Sequence, residues 1–165
     1  MMNLRKLLTT PFQKSVSRLV VAFLVIVTVI GFADAVFLTI EHYMNRIPPC
    51  TISGCEVVLT SSYAVILGVP VALLGSLYYL LILVLLVAHM DSKKEVFLRI
   101  ALLLTILGFI SSAYFFILQA FVIKAYCQYC LVSTATSTTL FVTAVVIFKK
   151  NKIKGNLENI TDPFL

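Results

Sequence analysis

The sequence predicts an all-α membrane protein, a bundle of four transmembrane helices with both termini in the cytoplasm. Of its 165 residues, 61% are hydrophobic and 12% are charged, whereas a soluble domain has about 25% charged residues. The hydrophobic residues form four long runs, each near the ~20 residues that a helix needs to cross a bilayer. Lysine and arginine lie between these runs, at alternate ends. The runs predict the helices, and the basic residues predict their orientation.

Each apolar run is continuous, which excludes the alternating pattern of barrel strands. The predicted helices are Leu19–Ile40, about Ala64–Ala88, Val96–Leu118 and about Tyr126–Phe148. The first contains Ala33-Asp34-Ala35, which is similar to a signal-peptide cleavage site. Apolar residues resume directly after it, so we predict a retained helix. Asp34 is costly in lipid and is a candidate functional residue, unless it faces the loop or the membrane interface.

The basic residues are distributed unevenly between the two sides of the predicted membrane domain. Eleven of the thirteen lie before helix one, around the turn between helices two and three, or after helix four, which leaves Arg46 and Lys124 on the other side. Basic segments stay in the cytoplasm, so both termini are expected there. The predicted parts are a basic cytoplasmic segment 1–18, a membrane domain 19–148 with an outer loop 41–63, and a disordered cytoplasmic tail 149–165. The net charge of +6 forms no single patch, so we expect no nucleic-acid partner. We also expect the protein to be a monomer among membrane lipids.

All four cysteines fall on the predicted outer face, where disulfides persist. Cys50 and Cys55 lie in the outer loop, and Cys127 and Cys130 lie at the outer end of helix four. Zinc would need four convergent nitrogen or sulfur ligands, and the two histidines are predicted on opposite faces. The cysteines therefore indicate two redox pairs and no metal.

The two pairs have different surroundings. A CxxC at a helix start favours the thiolate of its first cysteine, so we expect Cys127 to be the exposed, exchanging thiol and Cys130 to be buried near a lipid-soluble electron acceptor. The C-x4-C segment contains Gly54 and can close a small ring, which is either exchangeable or a static staple. The hydroxyl groups of residues 60–63 either bind a quinone carbonyl or cap helix two. Gly68 and Pro70 are expected in the first turns of that helix.

Taken together, these motifs resemble bacterial homologues of the vitamin K epoxide reductase (VKOR) family over about residues 18–148. The matching segments are Cys50-x4-Cys55, Gly54–Ser61, Gly68-Val69-Pro70 with Ala72–Gly75, and Cys127-Gln128-Tyr129-Cys130. The resemblance implies a four-helix bundle around a quinone, capped by the loop and a short interfacial helix. It also implies an oxidoreductase of the cytoplasmic membrane that reoxidises a DsbA-like, thioredoxin-fold protein and reduces ubiquinone or menaquinone. No thioredoxin-like segment is predicted, so we expect that partner to be a separate protein.

The resemblance assigns an order to the cysteines. The partner attacks Cys50, Cys55 exchanges with Cys127, and Cys130 passes electrons to the quinone. Ser61 matches the family's serine beside the quinone. Val71 and Thr134 align with the asparagine and tyrosine that bond the quinone in the animal enzymes. These three positions are the candidate quinone contacts, and the changed side chains favour a plain quinone over vitamin K epoxide.

Two further departures from the family concern the loop. Ser62 replaces a basic residue, and the spacing between the loop cysteines is short. Three alternatives stay open. The DsbB family performs the same reaction with the opposite order of cysteine pairs. A membrane scaffold could use its disulfides only as staples, and a reductant importer would move electrons outward.

Overall fold

A computed structural model describes the backbone of residues 16–52 and 54–161, with side chains through residue 150. Most of the predicted segment 1–18 therefore lies outside the described residues. The long helices are α1 (Arg18–Tyr43), α3 (Val71–Ser92), α4 (Glu95–Ile117) and α5 (Gln128–Thr161). Between α1 and α3 lie a short helix, α2 (Cys55–Leu59), and a hairpin of strands β1 (Val65–Ile66) and β2 (Val69–Pro70). A π-helical turn, Leu118–Ile123, extends α4.

Within the described ranges, four helical segments are long and apolar enough to cross a membrane. They are Arg18–Tyr43, Val71–Ser92, Glu95–Ile123 and Gln128–Lys150. Large apolar side chains on their outer surfaces are exposed, including Leu107 at 61% and Phe121 at 74%. In water such a surface would promote aggregation, whereas in a membrane it contacts the lipid. The protein is a multi-pass membrane protein.

The four helices form a closed ring in which each packs mainly against two neighbours. The contacts run from α1 to α3, from α3 to α4, from α4 to α5, and from α5 back to α1. Only Lys93 and Lys94 connect α3 to α4, so these two helices are antiparallel. Lys93 adopts a left-handed conformation, and its N–H bonds the carbonyl of His89 to end α3, which is a common way to stop a helix.

Alternating helix directions give the bundle two distinct ends. We call the "cysteine end" the one formed by Tyr43, Val71, Ile123 and Gln128, because all four cysteines lie beside it. The opposite end holds Arg18, the α3–α4 connection and the Lys149–Lys150 pair. Of the basic residues whose side chains are described, Arg46 and Lys124 belong to the cysteine end, and the rest to the opposite end. The asymmetry of charge in the sequence is thus an asymmetry between the bundle's two ends.

The core of the bundle is apolar with one tyrosine at its centre. Its fully buried side chains include Leu24, Ile82, Leu86, Leu98, Leu102 and Leu140. Tyr79 is 2% exposed and packs against Gly31, where an added Cβ would lie 2.5 Å from its ring. The Tyr79 hydroxyl hydrogen-bonds the carbonyl of Ser133 at 3.1 Å and the hydroxyl of Thr136 at 2.8 Å. One side chain of α3 therefore joins α1 and α5.

Three predicted boundaries differ from the structure. Helix two was expected from about Ala64, but α3 begins at Val71. Leu67 and Gly68 take positive φ values and turn the chain into the hairpin, and Pro70 precedes the helix as its N-cap. Gly68 and Pro70 therefore precede the helix instead of lying in its first turns. The third helix was expected to end at Leu118, but the π-helical turn extends it to Ile123.

The fourth helix is longer than predicted. It was expected to end near Phe148, with a disordered tail from residue 149, but α5 continues as a helix to Thr161. The sequence after the apolar run lacks proline before residue 163, so no residue there breaks the helix outright, although Gly155 and its asparagine neighbours are weak helix formers. Residues 162–165 lie outside the described part of the chain.

Candidate active site

The loop pair joins the loop to a short helix. Cys55 is the first residue of α2, and Gly54 precedes it with φ +132°. Cys50 follows Pro48-Pro49, and the two cysteines form a disulfide with a Cα–Cα distance of 6.3 Å. The C-x4-C ring that the sequence allowed is therefore closed in the structure.

The helix pair is fixed by the start of α5. The carbonyl of Cys127 accepts the N–H of Leu131 at 3.0 Å, so Cys127 stands at the N-cap position. Its own N–H donates to the side-chain oxygen of Gln119 at 3.0 Å. Gln119 is itself buried in the π-helical turn. Cys127 and Cys130 are free thiols, and their positions are set by helix backbone.

The two pairs meet in one buried cluster. Cys55, Val58 and Cys127 form its interior, with Cys50 and Cys130 partly buried at its edge. Cys55 is 1% exposed and Cys127 is 0% exposed. Each pair therefore has one cysteine inside the cluster and one packed against its edge.

This arrangement corrects one prediction. Cys127 was expected to be exposed and Cys130 buried, but Cys127 is the more buried of the two. The loop is responsible, because it covers the start of α5. At Gly54 an added Cβ would lie 3.0 Å from the carbonyl oxygen of Tyr126 and 3.2 Å from its nitrogen. Glycine allows the loop backbone to approach the residue that precedes Cys127 this closely.

The two central residues of the CxxC hold the loop in place. The Gln128 side-chain oxygen accepts hydrogen bonds from the Thr51 N–H at 3.1 Å and the Thr51 hydroxyl at 2.6 Å. The Tyr129 hydroxyl donates to the carbonyl of Pro49 at 2.8 Å. Both residues thus bind the backbone on either side of Cys50. We call this set of contacts the "loop clamp"; nothing in the sequence pattern had indicated it.

Cys127 has an environment that stabilises its thiolate. A hydrogen bond from the Cys130 thiol lowers the pKa of Cys127 from 9.0 to about 7, assisted by the backbone N–H groups of Cys130 and Tyr129 and opposed by burial. The predicted direction was correct. The helix start contributes as expected, but the neighbouring thiol is the larger cause.

A cavity of about 680 Å³ opens beside this cluster, between the helices at the cysteine end. It is lined mostly by apolar side chains and lies in the size range of small-molecule sites. Cys130 lines it, as do all three predicted quinone contacts, Ser61, Val71 and Thr134. The structure therefore brings the predicted contacts and one thiol to the same space.

The hydroxyls of the predicted contacts already have partners. Ser61 donates to the carbonyl of Val58 at 2.7 Å, and Thr134 donates to the carbonyl of Cys130 at 2.8 Å. The N-cap of α3 is Pro70, and no side chain caps this helix. The capping role considered for residues 60–63 is therefore wrong. These hydroxyls can still accept a hydrogen bond but are not free donors.

Other polar groups in the cavity were not predicted as a set. Asp34, Tyr78 and Ser137 each have a buried side-chain oxygen without a hydrogen-bond partner among the described residues. The hydroxyls of Tyr78 and Ser137 are neighbours beside Gly108. The sequence indicated Asp34 by its cost in lipid. Tyr78 and Ser137 have no such signal, because tyrosine and serine are common in membrane helices.

A multi-pass helical bundle with two cysteine pairs in contact, one of them beside an apolar cavity, defines a membrane thiol oxidoreductase. The model of the vitamin K epoxide reductase family matches residues 22–145, which include all four cysteines. The chain belongs to this family, whose members are quinone-linked thiol oxidoreductases. No curated protein is significantly similar in sequence.

Proposed function

We propose that the protein oxidises a DsbA-like, thioredoxin-fold protein outside the cytoplasm and passes the electrons to a quinone. The path is Cys50, Cys55, Cys127, Cys130 and then the quinone. The observation that carries this proposal is the order of the four cysteines: Cys55 and Cys127 share a buried cluster, whereas Cys50 lies at its edge and Cys130 lines the cavity. Such an order suits stepwise exchange between a protein surface and an internal site.

The first step is exchange with the partner. A partner thiolate attacks the sulfur of Cys50, and the Cys50–Cys55 bond breaks with Cys55 as the leaving thiolate. The partner's second thiol then attacks the mixed disulfide, so the partner leaves oxidised and the loop pair keeps two electrons. Partial exposure of Cys50 and full burial of Cys55 support attack at Cys50, since exchange depends on access to the attacked sulfur.

The second step is exchange between the pairs. Cys55 attacks Cys127 in a Cys127–Cys130 disulfide, and Cys130 leaves. Cys50 then attacks Cys55, which restores the loop disulfide and leaves both helix cysteines reduced. An oxidised loop pair beside a reduced helix pair is the product of this step. The lowered pKa of Cys127 supports it as the leaving thiolate when Cys50 attacks.

The third step moves the two electrons to the quinone. Two S–H bonds of Cys127 and Cys130 are lost and one S–S bond forms, while the quinone gains two electrons and two protons to become a quinol. The cavity's volume and apolar lining suit a quinone ring with part of its tail. Ser61, Val71 and Thr134 would contact it. Val71 and Thr134 offer no free donor to an epoxide oxygen, which favours ubiquinone or menaquinone as the acceptor.

The location of the reaction follows from the charges. Because basic residues concentrate at the opposite end of the bundle, we place that end and both termini in the cytoplasm. The cysteine end then lies on the outer face of the cytoplasmic membrane, where exported proteins acquire disulfides. We propose that the protein works there as a monomer.

The test is reconstitution of the purified protein in lipid vesicles with a reduced DsbA-like protein and either a ubiquinone or a menaquinone. We expect loss of one quinone for every two partner thiols oxidised, and no loss with a variant in which all four cysteines are serine. If neither quinone is consumed while the loop disulfide stays oxidised, the disulfide is a staple and the proposal is wrong. Partner reduction at the expense of added quinol would show the opposite direction of electron flow.

A further inference from the structure

The carboxyl group of Asp34 lies in the cavity beside the helix cysteines. Asp34 belongs to α1, a helix whose neighbouring residues are apolar, and it lines the same cavity as Cys130. Ionisable residues inside membrane proteins are rare and typically mark ion pathways or proton relays. Its position therefore calls for a chemical role.

The second oxygen of this carboxyl group, Oδ2, is buried and has no hydrogen-bond partner among the described residues. Nearby hydroxyls do not fill this role: Ser61 and Thr134 donate to backbone carbonyls, and Tyr79 is bonded to α5. A buried polar atom without a partner is costly and calls for an explanation, of which a catalytic role is one. Asp34 thus has a free oxygen in the space that we assign to the quinone.

Other ionisable groups also face this region. Glu41, about two helical turns beyond Asp34, lies 3.9 Å from Arg46 and so has a cation beside it. His42 lines the mouth of the cavity but is exposed. The Tyr79 phenol is hydrogen-bonded to α5, whereas the Tyr78 phenol, like Asp34, has no hydrogen-bond partner among the described residues. Asp34 and Cys130 line the same cavity, and the Asp34 carboxylate acts electrostatically on Cys130 and Cys127.

We infer that Asp34 transfers the proton between the Cys130 thiol and the quinone oxygen. The inference rests on the proposed function. When Cys130 gives up its electrons, its S–H proton passes to the Asp34 carboxylate, and the resulting carboxylic acid donates that proton to the quinone oxygen. The second proton comes from water and balances the one that Cys127 releases to water, so the dithiol loses two electrons and two protons and the quinone gains the same. Asp34 returns to its starting state.

The test is a single turnover of quinone by protein that has been reduced in advance, followed by quinone absorbance, with Asp34→Asn as the variant. General acid–base groups contribute about 10²–10⁴-fold, so we expect at least about a hundredfold slower reduction at saturating quinone. The quinone dissociation constant should stay within about threefold, because asparagine keeps the size and polarity of the side chain. Asp34→Glu should recover part of the rate. Asp91→Asn is the matched control, because it makes the same change in α3 at the end of the bundle opposite the cysteines. It should reduce quinone at the wild-type rate.

Each result decides the inference. An Asp34→Asn protein that reduces saturating quinone at the wild-type rate, even with weaker binding, overturns it. Exchange of the loop disulfide with a small dithiol reports that the variant is folded. A second measurement needs no variant: a hydrophobic carbodiimide should label Asp34 in wild-type protein, stop quinone reduction in proportion to labelling, and be excluded by bound quinone. Complete labelling without a change in rate also overturns the inference. If wild-type protein reduces no quinone, the proposed function itself fails.

Discussion

The two cysteine pairs differ in what holds them. Cys127 and Cys130 are fixed by the backbone of α5, and Gln119 bonds the N–H of Cys127. Cys50 and Cys55 lie on a segment that reaches α5 through the loop clamp and the close approach of Gly54. One pair is part of the bundle, and the other is seated on it. The difference shows which pair has freedom to move during exchange.

Cys50 and Cys130, the two cysteines at the edge of the buried cluster, also have different surroundings. Cys50 lies at the surface of the cysteine end, and Cys130 lines a cavity within the bundle. A partner protein needs an accessible sulfur, whereas a quinone needs an apolar space. If the pairs have separate tasks, changes in the loop should affect partner oxidation and inter-pair exchange while leaving quinone reduction intact.

The largest effect is expected from Cys50→Ala, which removes the sulfur that the partner attacks. Loss of a reacting group in a covalent mechanism costs orders of magnitude, so partner oxidation should fall at least about a thousandfold. Chemically reduced protein should still reduce quinone in a single turnover, because Cys127 and Cys130 are unchanged. The Cys55–Cys127 bond should then accumulate, since no Cys50 is present to resolve it, and peptide mass spectrometry measures it.

The double variant Cys50→Ala, Cys55→Ala is the matched control for this experiment. It also lacks partner oxidation but cannot form the inter-pair bond. Unchanged partner oxidation in Cys50→Ala would contradict the separation of tasks.

A smaller effect is expected from Gly54→Ala. Alanine at φ +132° is strained, and its Cβ would press on the Tyr126 backbone, so the loop should lift from the start of α5. Strained backbone costs of order 1–3 kcal/mol, which predicts about a tenfold to hundredfold slower transfer from the loop pair to the helix pair. Rapid quenching with a thiol-alkylating reagent measures that transfer.

Gly68→Ala is the matched control for the loop. Gly68 also has a positive φ, +81°, but no atom lies within 4 Å of an added Cβ, so the strain should stay in the hairpin turn. Equal slowing of exchange by both alanine variants would show that the contact with Tyr126 is not what matters.

The sequence predicted the helices and the two pairs, but not how the pairs meet. Four apolar runs of bilayer length determine four spans, and CxxC at the start of one of them determines where its thiols lie. Burial of Cys127 could not be predicted, because it depends on a loop that folds back from more than 70 residues away. The late start of α3 depends on a two-residue turn at Leu67 and Gly68. The residues around this turn are apolar, so their sequence reads as part of a continuous transmembrane helix. Local patterns indicated elements, and long-range contacts made the site.

A still smaller effect is expected from Gln128→Ala, which removes one part of the loop clamp. Two hydrogen bonds from Thr51 are lost, and partly exposed bonds contribute about 0.5–1.5 kcal/mol each at most. Transfer between the pairs should slow about fivefold, measured by the same quenching method. Gln128→Glu keeps an acceptor oxygen and should restore most of the rate. A Gln128→Glu rate as low as that of Gln128→Ala would show that accepting from Thr51 is not the role of this residue.

The smallest effect concerns pH and separates Cys127 from an ordinary thiol. Its pKa is lowered to about 7, so the thiolate is present above that pH and is lost as the pH falls through it. Between pH 7 and pH 9 its thiolate fraction should rise only about twofold, whereas a thiol with the ordinary pKa of 9.0 would gain about fiftyfold. Ultraviolet thiolate absorbance measures this, with the loop disulfide intact so that Cys50 and Cys55 do not contribute. Cys130→Ala removes the main cause of the lowered pKa, and the midpoint should move upward; an unchanged midpoint would assign the lowering to the helix start alone.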